Sequence, residues 1–128
     1  MELKERMYVR IKNKVGYCVI GKIENINDYR EPMMKYCIDI QGNDFIFVPK
    51  EMIIKASNNI IDLIEVGDYV NGYLVLFAGA TTWDNDGNVL DKQVHINHNG
   101  FDWWLREEYI KSIVTKEQFE SMSYKVGE

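Results

Sequence analysis

Leu63-Ile-Glu-Val-Gly-Asp-Tyr-Val-Asn-Gly-Tyr-Leu-Val75 decides the fold class of this chain. Gly67 supplies the positive φ of a tight turn, and Asp68 can bond its own backbone there. The residues that follow alternate, so Tyr69, Asn71, Tyr73 and Val75 share one face of a strand, opposite Val70, Gly72, Leu74 and Leu76. Aromatics alternating out of a glycine turn are the pattern of small β-barrels.

On the N-terminal side, Met7-Tyr-Val-Arg-Ile-Lys12 and Tyr17-Cys-Val-Ile-Gly-Lys-Ile-Glu24 read as a hairpin around Asn13-Lys-Val-Gly16. Gly21 in mid-strand marks a bulge or bend. Asn25 to Pro32 is an exposed loop, and a second hairpin joins Met33–Ile40 to Asp44–Val48 through a Gln41-Gly-Asn-Asp44 turn. Pro49-Lys-Glu51 breaks the chain before a strand over 52–57, and Ile60–Ile64 fits a helical turn and a strand equally. On the C-terminal side, a strand over 69–78 leads through Asp86-Gly87 to a returning strand, Val89–Ile96. Asn97-His-Asn-Gly100 is a further turn, Phe101–Arg106 a strand and Tyr109–Val114 the last strand. Thr115 with Gln118 three residues on predicts an N-capped helix over Lys116–Met122. The expectation is a mostly β protein: a small SH3-like or related barrel plus additional antiparallel strands, with one short C-terminal helix. It is read as a single domain over 1–128 that can divide into lobes 1–66 and 67–128.

A chain of 128 residues is near the modal size of one domain and needs neither disulfide nor metal to fold. Its apolar runs are far shorter than the roughly 18 residues of a membrane span, and its first residues lack a secretory apolar centre. The reading is a cytoplasmic protein with reduced Cys18 and Cys37 and no membrane contact. Charge is uneven: residues 1–36 hold eight Lys/Arg against five Asp/Glu, and residues 37–128 hold seven against fifteen. The acidic excess argues against general nucleic-acid binding, unless Lys4, Arg6, Arg10, Lys12, Lys14 and Lys22 gather on one face.

Two stretches carry a resemblance: Phe47-Val-Pro-Lys-Glu-Met-Ile-Ile-Lys-Ala-Ser-Asn-Asn-Ile-Ile-Asp-Leu-Ile-Glu-Val-Gly-Asp-Tyr-Val-Asn-Gly-Tyr73 and Ile110-Lys-Ser-Ile-Val-Thr-Lys-Glu-Gln-Phe-Glu-Ser-Met-Ser-Tyr-Lys-Val126. They resemble small accessory proteins carried by phages and prophages of clostridia and related Gram-positive bacteria. The resemblance implies a role inside a bacterial host, such as host takeover or inhibition of a host enzyme or antiviral defence system. It transfers no catalytic residue.

Among candidate sites, Trp103 and Trp104 must point to opposite faces of their strand. Phe101, Trp103 and Leu105 form the expected buried set, which leaves Trp104 exposed between Asp102 and Arg106, the composition of an interface hot spot. Trp83 and His98 are placed in the same partner-binding surface. Asp84-Asn-Asp-Gly-Asn88 resembles the start of a calcium loop but lacks the distal Glu, and a hairpin turn explains every residue. His95, His98 and Asp91 lack further ligands at zinc spacing, and no metal or cofactor is expected. His98 oriented by Asp102 would be the acid–base pair of an enzyme, yet no phosphate-binding glycine loop, zinc-protease motif or nucleophile elbow is present.

The expected function is therefore non-catalytic binding of a host protein, itself basic or associated with nucleic acid, because opposite charge speeds encounter and a Trp anchor slows release. One alternative is a nucleic-acid-binding barrel using Arg10, Lys12, Lys14 and Lys22 with Tyr8, Tyr17 and Tyr29 as stacking platforms. Another is a small-ligand (nucleotide) binding protein or enzyme with a pocket lined by Tyr69, Tyr73, Phe77, Trp83 and Trp103.

Overall fold

The computed structural model describes residues 2–41 and 44–122. Among the described residues, ten strands form two five-stranded antiparallel sheets, followed by one short helix. The first sheet contains β1 (Tyr8–Lys12), β2 (Cys18–Ile26), β3 (Tyr36–Gln41), β4 (Asp44–Val48) and β5 (Ile53–Ser57), in the order β4-β3-β2-β1-β5. The second contains β6 (Tyr69–Val70), β7 (Tyr73–Trp83), β8 (Val89–His98), β9 (Phe101–Leu105) and β10 (Ile113–Val114), in the order β10-β6-β7-β8-β9. Helix α1 spans Lys116–Met122. No helix among the described residues is long and apolar enough to cross a membrane.

The first core takes side chains from every strand of one sheet: Val9 and Ile11, Val19 and Ile23, Tyr36 and Ile38, Val48, and Ile53. A sheet that fills its own core must curl over it, and bulges supply the bends. Register shifts fall between Arg10 and Ile11, between Ile23 and Asn25, and between Asp39 and Gln41. The bulge expected at Gly21 thus lies downstream, at Glu24. Gly21 is instead a site of close approach, where a Cβ would stand 2.6 Å from Ile38 Cγ2 and 2.7 Å from the Asp39 carbonyl oxygen. The expected closure into a barrel is not seen: β4 and β5 are the sheet's two edges, and no pairing among the described residues joins them. Gly42 and Asn43 of the expected β3–β4 turn lie outside the described residues, although Gln41 and Asp44 pair across it.

The second core joins Ile61 and Ile64 to Val70, Val75, Val94 and Ile96. The single strand expected over 69–78 is two strands. Asn71 and Gly72, with φ of 54° and 87°, form a two-residue hairpin loop between β6 and β7, the turn for which Asn-Gly is best suited. The last strand expected over 109–114 shrinks to Ile113–Val114, because Glu107–Tyr109 forms a 3-10 turn. The ambiguous Ile60–Leu63 is also a 3-10 turn, with Ile61 and Leu63 buried.

A polar joint ties the two sheets together. Arg10 points away from the first core, and its Nη1 and Nη2 donate to Asp68 Oδ2 at 2.6 Å and Oδ1 at 2.9 Å. The Leu63 carbonyl accepts a further bond from Nη1 at 3.1 Å, and Glu65 lies 3.2 Å from Nε. Asp68 also accepts from the backbone N–H of Glu65 and of Lys116. Thr115, fully buried, donates its hydroxyl to the Cys18 carbonyl at 2.6 Å and accepts from the Gln118 N–H, while Gln118 Oε1 accepts from the Thr115 N–H. This reciprocal capping box starts α1 where the sequence places it.

Candidate partner-binding face

The face is assembled by two turns and a bulge. Asn99 and Gly100, with φ of 53° and 85°, make a two-residue loop that fixes the β8–β9 register, setting Trp104 opposite His95 and Trp103 opposite Ile96. On β7 the pairing moves from Val75↔Ile96 to Phe77↔His95, so Leu76 is the extra residue of a bulge. Side chains alternate with a period of two, and the bulge shifts that period by one. Phe77, which strict alternation would place beside the buried Val75, therefore emerges on the outer face with Trp104.

Three rings meet there. His95 stacks on Trp104 with centroids 4.4 Å apart and an interplanar angle of 4°, and Phe77 lies 5.9 Å from Trp104 at 55°. Trp104 is 50% exposed, and Phe77 and Asp102 are also exposed. Asp102 Oδ1 lies 3.1 Å from His95 Nε2 at ion-pair distance, without the alignment of a hydrogen bond. Arg106 reaches across to Asp91, with Nε 3.3 Å from Oδ2, and Gln93 donates to the same oxygen at 2.8 Å. The Gln93 bond, aided by Arg106, holds the Asp91 carboxyl below its ordinary pKa. Arg106 is thus paired within the face, and Asp102, which also accepts from Asn97 Nδ2 at 3.5 Å, stands exposed beside His95. Residues 84–108 carry six carboxylates against two cations, and the second cation, Lys92, is held by Asp62 at 2.5 Å.

The structure therefore brings Trp104, Asp102 and Arg106 together and adds Phe77, His95, Asp91 and Gln93. His95 could have been found from sequence, since a two-residue Asn99-Gly100 loop makes it the cross-strand partner of Trp104. Phe77 could not, because the bulge that turns it outward has no glycine or proline to announce it. Trp83 stays apart: it pairs with Val89, six residues of strand from His95, roughly 20 Å at the usual rise.

Several expectations are corrected. His98 lies on the opposite face, 4.3 Å from the Tyr73 ring and 6.0 Å from Trp103, so the histidine beside Asp102 is His95 and the pairing of His98 with Asp102 does not form. Phe101 and Trp103 are not buried, being 71% and 51% exposed, because β9 is a sheet edge and nothing among the described residues covers its far side. The aromatic pocket does not assemble. Tyr69 stacks on Phe119 at 4.0 Å, Tyr73 meets His98, Phe77 meets Trp104, and Trp83 lies at the far end of the β7–β8 hairpin. Asp84 spends its carboxylate on the N–H groups of Asp86 and Asn88 inside the hairpin turn.

The basic cluster is also divided. Arg10 is buried and bonded to Asp68, while Lys12 and Lys22 are exposed at opposite ends of the β1–β2 ladder, opposite Cys18 and Tyr8. Burial alone would lower the Arg10 pKa, but the Asp68 bonds and charge outweigh it and hold the guanidinium firmly protonated. Lys22 sits 5.4 Å from the Tyr8 ring, and Lys14 lies on the exposed turn beyond β1. Cys18 and Cys37 are free thiols. Comparison with protein-family models, with curated proteins and with solved structures finds no match for this chain.

Proposed function

We propose that this chain is a non-catalytic binding protein that engages a basic partner protein through the outer face of β8 and β9. The observation that carries the reading is the half-exposed Trp104, backed by His95 and Phe77 and bordered by the exposed Asp102. A pre-stacked indole loses little side-chain freedom on binding, and Trp is among the residues that most often anchor interfaces. The acidic surroundings select a partner rich in Lys and Arg and raise the association rate. A basic host protein of the kind that handles nucleic acid has that chemistry, in keeping with the resemblance to phage accessory proteins. The nucleic-acid reading is weakened by the loss of Arg10 to the interior.

Affinity capture from a bacterial lysate tests the proposal by comparing the wild-type chain with Trp104→Ala. Wild type should retain a stoichiometric basic protein that Trp104→Ala does not; equal retention by both would remove the face from consideration.

A further inference from the structure

Strand β9 is an edge, and it lacks the usual protections of one. Sheet edges are commonly blunted by lysine, proline, bulges or very short strands. β10 has two residues and β5 carries Lys55; β4 resembles β9 in its length and single Asp, but its exposed aromatics, Phe45 and Phe47, lie on one face only. β9 has five residues, Phe-Asp-Trp-Trp-Leu, with exposed aromatics on both faces and Asp102 as its one charge.

The register defines what this edge offers. A two-residue loop makes His98 and Phe101 the hydrogen-bonded pair beside the turn, so Phe101, Trp103 and Leu105 exchange bonds with β8. The N–H and C=O of Asp102 and Trp104 then face away from the sheet. Backbone groups need partners, and an extended chain laid along β9 supplies them.

We propose that β9 takes up an extended basic segment of the partner as an added antiparallel strand. This deepens the binding reading above and rests on it. Residues of the incoming strand that pair with Asp102 and Trp104 project onto the acidic aromatic face, where Lys or Arg meets the Asp102 carboxylate and the Trp104 indole. The intervening residues project over Phe101 and Trp103, where β-branched apolar side chains fit. A second copy of this chain is disfavoured as occupant, because it would set one acidic β9 against another.

The probe is an end-blocked peptide, Val-Lys-Val-Lys-Val-Lys-Val, titrated into the protein while backbone amide shifts are followed. The amides of Asp102 and Trp104 should move. N-methylation of the Lys amides, which pair with β9, should weaken binding roughly tenfold, and N-methylation of the Val amides should not. Absence of binding, or equal affinity of the two methylated forms, overturns strand addition. Binding lost in Trp104→Ala yet blind to methylation would leave the aromatic face standing and remove the strand. Binding sensitive to methylation and indifferent to Trp104→Ala would do the reverse. Sedimentation of the chain alone should show a monomer; a dimer broken by Asp102→Pro would make a second copy the occupant and overturn the basic segment.

Discussion

Arg10 and Asp68 form a bidentate pair across the two sheets, each almost completely buried, with Nη–Oδ distances of 2.6 and 2.9 Å. Asp68 does more than balance the charge, since it also accepts from the N–H groups of Glu65 and Lys116 and so fixes the turn before β6 and the start of α1. Removing Arg10 leaves Asp68 charged and buried, which typically costs about 3–5 kcal/mol, and Arg10→Met is expected to lower stability on that scale. Asp68→Ala should cost less through the charge, because Glu65 and Glu117 stay 3.2 and 3.7 Å from the guanidinium. The double variant should lose less than the sum, as measured by urea unfolding of all four chains.

Gly21→Ala places a methyl group 2.6 Å from Ile38 Cγ2 and 2.7 Å from the Asp39 carbonyl oxygen. Ile38 is fully buried, and the carbonyl belongs to the paired strand, so neither can move freely. Overpacking of this kind costs about 1–3 kcal/mol. Thermal unfolding should show the loss for Gly21→Ala, whereas Gly87→Ala, which has open space around its Cβ position, should show only the smaller strain of a positive φ.

Periodicity located most strands and the helix, because an alternating run with a polar turn at each end leaves few other ways to bury its apolar face. Thr115 with Gln118 was enough to place α1. The Asn71-Gly72 hairpin was legible, since Asn-Gly between alternating apolar residues is itself a hairpin signal, but the alternation from Val70 to Tyr73 runs through the turn and favours one continuous strand. The role of long-range partners was not legible: Arg10 reads as part of a surface cluster because the carboxylate that buries it is 58 residues away. Of the partner-binding face, Trp104, Asp102 and Arg106 followed from strand alternation, while Phe77 depended on a bulge and the exposure of Trp103 on β9 being an edge.

Asn71 combines a turn conformation with a clamp. Its φ is 54°, its Oδ1 accepts from the N–H groups of Lys111 and Ser112 at 2.7 and 3.1 Å, and its Nδ2 donates to the Tyr109 carbonyl at 2.9 Å. Asn71→Ala loses all three bonds and adds left-handed strain, for about 2–3 kcal/mol. Asn71→Asp keeps the two accepted bonds and should fall between the two in urea midpoint.

The acid side of the stability profile should depend on Asp62. Desolvation pushes its pKa up, but hydrogen bonds from Lys92 and Ser57 together with the Lys92 charge pull it below the ordinary 3.8. A carboxyl depressed in the folded state contributes stability at pH values above its unfolded pKa and loses it as pH falls through the lower, folded one. Partial exposure limits the contribution to about 1 kcal/mol or less. Stability measured from pH 7 downward should decline below about pH 4, and Asp62→Asn should start lower and flatten that part of the decline.

Capture of the partner by wild type, Trp104→Ala and Phe47→Ala tests the central claim most directly, because Phe47, 41% exposed against 50% for Trp104, is an exposed aromatic on an edge strand of the other sheet. The prediction is a single basic protein held at low salt by wild type and Phe47→Ala, lost with Trp104→Ala, and released at about 1 M salt, where screening acts within roughly 3 Å. Capture that survives Trp104→Ala, or that fails only with Phe47→Ala, would contradict the assignment of the working surface to β8 and β9.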